Sequence, residues 1–99
     1  MAGSPEVVPV LVRETVGPLL ALPPAQKDML LRTLAALLAH NGSATQAAQV
    51  LFCHRNTVLY RAKQIEALTG RDLQNARDRL ELSLGMIAAG HDPGEQPPS

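Results

Sequence analysis

Arg55, Asn56, Thr57, Tyr60, Arg61 and Lys63 crowd into one short run, which holds three of the chain's nine basic residues. Their side chains are donors, hydroxyls and cations. A guanidinium such as Arg55 can donate two hydrogen bonds to guanine or hold a phosphate, and a carboxamide such as Asn56 can pair both ways with adenine. Thr57 and Tyr60 offer hydroxyls to phosphate oxygens, and Arg61 and Lys63 neutralise backbone charge. No acidic residue lies between Met29 and Ile65. Each residue alone has an ordinary reading. Arg61 and Lys63 suit a solvated helix face, Asn56 suits a first helical turn, and the Tyr60 ring can pack on a neighbouring helix. Together on one side of a helix they point to duplex binding.

Other chemistries lack their residues. His40, His54 and His91 are separated and have no carboxylate or thiol at ligand spacing, so no metal site is expected. "GRDLQNARD" has one glycine and no strand before it, so it is not a phosphate loop. Asp72, Asp78 and Glu81 look like caps and surface charges, and no Ser/His/Asp set stands out. The expectation is a binding protein with no cofactor and not an enzyme. The lone Cys53 rules out an intramolecular disulfide, fits a reducing cytosol and reads as a small buried apolar residue. The balance of nine basic and nine acidic residues does not by itself announce nucleic acid.

The elements that must position these groups are helical. Apolar residues make up 45% of the chain but aromatics only 2%, so Leu, Ala, Val and Ile must build the core. Leu and Ala are strong helix formers. No strand pattern, repeat or membrane-length apolar run is present. Val7 to Val16 reads as a short apolar helix ended by Gly17-Pro18, and "PLLAL" as a brief turn. From about Ala25 to His40, Leu30, Leu31, Leu34, Leu37 and Leu38 form one stripe of a helix. Asn41-Gly42 ends it, and Gly42 suits a left-handed cap. Ser43-Ala44-Thr45-Gln46 reads as a capping box opening a helix to Leu51, with Ala47, Ala48 and Leu51 inward. A tight turn over Phe52 to His54 leads to a helix over about Arg55 to Leu68, closed by Gly70. Advancing about 100° per residue, Val58, Ala62 and Ile65 share one side while Asn56, Tyr60 and Lys63 lie opposite, flanked by Arg55, Leu59 and Arg61. Asn75 is the expected N-cap of a last helix from Ala76 to Ala89.

A short helix, a tight turn and a longer second helix define a helix-turn-helix, whose second helix enters the major groove. "SATQAAQVLFCHRNTVLYRAKQIEALTGRDLQNARDRLELSLGMI" resembles the C-terminal DNA-binding domain of PucR/CdaR-type bacterial transcription regulators. The resemblance covers about Asn41 to Ile87. "HRNTVLYR", "LTGRDL" and "DRLEL" carry it most specifically, and Fis-type helix-turn-helix proteins share the small-residue and R-N-T core more loosely. It implies that Arg55, Asn56 and Thr57 are the leading contacts of a recognition helix, with Tyr60, Arg61 and Lys63 behind them and His54 at the N-cap touching the backbone. It also implies operator DNA as partner and an N-terminal metabolite-sensing portion, absent from this chain. Departures are Leu59 where arginine is common, Ala62 where a larger apolar residue is common, and Cys53 where valine is common. Leu59 gives up a phosphate-attracting charge, and a thymine methyl is its alternative contact. Phe52 occupies a turn position often given to glycine, so the turn is expected to avoid positive φ.

The expectation is therefore an all-α, helix-turn-helix DNA-binding fold of about five helices. Residues 1–5 form a flexible lead-in, 6–90 the domain, with the helix-turn-helix at about 44–68, and 91–99 a disordered tail. The recognition helix is about 55–68, and the protein is expected to be a cytoplasmic homodimer. In the last helix, Leu80, Leu84 and Ile87 form one apolar stripe and Leu82, Met86 and Ala89 a second. The second is expected to meet another subunit or the missing portion, the alternative being a helix buried more deeply inside its own domain. The rival reading is a helical interaction or dimerisation module that no longer binds DNA.

Overall fold

The computed structural model describes residues 7–91; the expectations for Met1 to Pro5 and for the tail beyond His91 lie outside that range. Every regular element in it is an α-helix: α1 Val7–Glu14, α2 Gly17–Leu20, α3 Pro24–Ala39, α4 Ala44–Leu51, α5 Arg55–Thr69 and α6 Ala76–Ala88. The all-α expectation holds. Among the described residues the helices number six because the brief turn begun by Pro18 stands as a helix of its own, with proline near its start, where no intrahelical N–H is needed.

α3 is the central support. Leu30, Leu34 and Leu37 are fully buried, as the stripe predicts. At its end the chain reverses through Asn41 and Gly42, both with positive φ, and the Gly42 amide donates to the Leu37 carbonyl at 2.7 Å. Glycine is required at 42 for a second reason: a Cβ there would strike the Leu73 carbonyl oxygen. Ser43 then caps α4, its hydroxyl accepting from the Gln46 amide at 3.2 Å. The return half of the expected capping box is missing. The Ser43 amide donates to the His40 carbonyl instead, so it has no need of the Gln46 side chain.

α1 and α6 pack against each other at a point of close approach. A Cβ on Gly85 would fall inside the Thr15 side chain, so only glycine lets the two backbones come this near. The two stripes of α6 take the opposite roles from those expected. Leu82 and Met86 are buried in the core, while Leu80, Leu84 and Ile87 are 59%, 46% and 56% exposed. The reason is this glycine: the face carrying Gly85 is the only one that can seat on α1, and Leu82 and Met86 share it.

Between α5 and α6 the segment 70–75 is held by side chains from both sides. Glu66 accepts from the Leu73 amide at 2.9 Å, and Asp78 accepts from the Asp72 amide at 2.8 Å. Arg79 donates to the Leu73 carbonyl at 3.1 Å, and Gln74 donates to the Gly42 carbonyl at 3.0 Å. Asn75 caps α6 as expected, accepting from the Asp78 amide at 2.9 Å.

Candidate nucleic-acid interface

α4 and α5 are joined by a two-step reversal. Small residues make their contact close: Ala47 and Ala48 are buried on α4 and Val58 on α5. The turn does not avoid positive φ. Phe52 sits in the left-handed region at φ 55°, and the Cys53 amide donates back to the Ala48 carbonyl at 3.1 Å. This is how a helix end satisfies its last carbonyls when the chain must turn sharply. Without glycine the corner is strained, and the Phe52 ring projects outward, 91% exposed. Cys53 is half-buried against the core rather than fully enclosed. His54 occupies the N-cap of α5 in extended backbone, as expected, and its side chain makes no capping bond.

Along α5, Val58 and Ile65 are fully buried and Ala62 is half-buried beside them. The opposite side is exposed: Arg55, Asn56, Tyr60 and Lys63, with Leu59 between them. Tyr60 is 68% exposed, so its ring does not pack on a neighbouring helix. Two of the candidate residues stand apart. Thr57 and Arg61, one turn from each other, are half-buried on the flank of the helix. Arg61 lines a cleft of about 250 Å³ with Asp28, Met29, Arg32, Thr33 and Leu51. There Asp28 already pairs with Arg32 at 3.1 Å.

Charge is unevenly spread around this helix. Lys63 borders a broad open depression lined by Glu66, Asp72 and Asp78 together with Arg71. Basic and donor groups therefore dominate the first two turns of α5 with no acid among them, while both signs mix past its middle. Zero net charge over the chain conceals this separation. On α4, Thr45, Gln46 and Gln49 are exposed. In this motif the first helix crosses the DNA backbone. Their spacing opposite Ala47 and Ala48 is the signal in the sequence that marks them.

This arrangement defines the helix-turn-helix class of transcription-regulator domains: a short buttressed helix, a tight corner and a second helix with one face free. The chain belongs to the PucR C-terminal helix-turn-helix domain family, whose profile matches residues 30–88. It is 47% identical over 58 residues to the carbohydrate diacid regulator of Escherichia coli (strain K12), covering 59% of this chain and 15% of that protein. It is 43% identical over 58 residues to the proline-responsive transcriptional activator PutR of Bacillus subtilis (strain 168), covering 59% of this chain and 14% of that one. The purine catabolism regulatory protein of the same organism is 36% identical over 62 residues, 62% of this chain and 12% of its own length. The matched stretch thus spans about one-seventh of these regulators. No solved structure matches the chain significantly. The family is one of DNA-binding regulatory domains, not of enzymes. Among the described residues no helix is long and apolar enough to cross a membrane, and no group of three or more potential ligands is placed to hold a metal.

Proposed function

We propose that the chain is the operator-reading domain of a transcription regulator, with α5 in the major groove. One observation carries this reading. Arg55, Asn56, Leu59, Tyr60 and Lys63 form an exposed row on α5 while Val58 and Ile65 on its other side are fully buried. A row of donors free of the core suits groove readout. The N-terminus of α5 adds free backbone amides and partial positive charge beside it. In this reading Arg55 and Asn56 meet base edges, Tyr60 and Lys63 meet phosphates, and His54 touches the backbone at the helix start. Thr57 and Arg61 act from the flank, against the groove wall.

Two copies on an inverted repeat complete the proposal, with recognition helices about 34 Å apart or a multiple of it. A sensory portion preceding the domain and a cytoplasmic setting belong to the same reading. The exposed stripe of Leu80, Leu84 and Ile87 favours a second one, a helical interaction module without DNA binding. Selection of bound fragments from random duplex DNA, followed by Arg55→Ala, separates the two. A DNA reader enriches one sequence family and loses about 1–3 kcal/mol of affinity for it on substitution. An interaction module enriches nothing.

A further inference from the structure

We infer that Leu59 makes the domain a reader of a thymine methyl group, set within one or two base pairs of the purines met by Arg55 and Asn56. This rests on the operator-reading proposal and names what that site selects. Leu59 lies on the Arg55 side of the exposed row. Its neighbours one turn away, Arg55, Asn56 and Lys63, and the adjoining Tyr60, are all polar and exposed. It is 37% exposed, where Val58 beside it is fully buried. The inward side of α5 is already filled by Val58 and Ile65. The fold therefore leaves part of the Leu59 side chain uncovered, on the face that would meet the duplex.

Major-groove chemistry leaves one partner for them. Guanine, cytosine and adenine edges there present donors and acceptors, and only thymine adds an apolar group, its C5-methyl. A branched hydrocarbon over a G·C pair covers polar atoms without bonding them, which costs free energy. Over thymine it buries a methyl instead. The helix advances about 1.5 Å per residue, so Leu59 sits about 4.5 Å past Asn56 and about 6 Å past Arg55. The duplex advances about 3.4 Å per base pair, which spaces the two readouts by one to two steps.

Uracil substitution tests this with one atom group changed, since deoxyuridine pairs as thymidine does and lacks only the methyl. The duplex is the one enriched by the full 99-residue chain from a random pool. Each thymine is replaced singly, and binding is measured for the wild type and for Leu59→Ala, whose folding is checked by circular dichroism. At one position near the selected purines, wild-type affinity should fall about fourfold, the worth of one buried methyl-sized group. Leu59→Ala should bind the thymine and uracil duplexes equally. A flat uracil scan in the wild type overturns the inference and assigns Leu59 to sugar or phosphate. Equal losses in both proteins overturn it too, because the methyl is then read by another residue. Failure to enrich any sequence removes the operator-reading proposal and this inference with it. The wild-type scan decides the matter even where the variant folds poorly.

Discussion

Phe52→Gly should stabilise this protein relative to Phe52→Ala, the reverse of the usual helix preference. At φ 55° a residue with a Cβ costs about 1–2 kcal/mol, which glycine does not incur. Glycine gives back about 0.4–1 kcal/mol through the extra freedom of its unfolded chain. The ring, 91% exposed, adds almost nothing by burial, so its removal is common to both variants and small. The glycine variant should therefore exceed the alanine variant by about 0.8 kcal/mol, or about 3–6 °C in melting temperature for a domain of this size. Inside a helix the same comparison favours alanine by about 1 kcal/mol. Urea unfolding followed by far-ultraviolet circular dichroism reads the difference. Alanine more stable than glycine would mean the corner is not left-handed. A glycine variant more than about 1 kcal/mol below wild type would mean the ring is packed.

Three further outcomes follow from the geometry. Gly85→Ala should cost about 1–3 kcal/mol in urea unfolding, because the added methyl meets the Thr15 side chain and α1 must move off α6. Leu82→Ala should cost about 2–5 kcal/mol, whereas Leu84→Ala on the exposed stripe should cost less than about 1 kcal/mol. Lys63→Ala should weaken DNA binding about equally for all sequences and lower the salt slope by about one, and Arg32→Ala, paired with Asp28 on α3, should leave that slope unchanged.

The positions of the helices were legible because their punctuation is local. Ser43, Asn75, Gly42 and Gly70 act on backbone groups within a turn of themselves, and each appears where its residue type predicts. The two faces of α5 were legible because helical spacing alone separates Val58 and Ile65 from Asn56 and Lys63. What stayed hidden depends on distant partners. Which stripe of α6 turns inward is decided by Thr15 against Gly85, a contact no periodicity encodes. Arg61 appears equivalent to Lys63 by composition, yet the nearness of α3 sets it against Asp28 and Arg32. The left-handed Phe52 was misjudged because the demand of the corner overrode the preference of the residue.

The strap from Gly70 to Asn75 has a mechanical consequence. It is bound to α5 through Glu66, to the corner between α3 and α4 through the Gly42 carbonyl, and to α6 through Asp78 and Arg79. Any shift of the last helix away from α1 must therefore either break these four hydrogen bonds or carry the corner at Gly42 and the end of α5 with it.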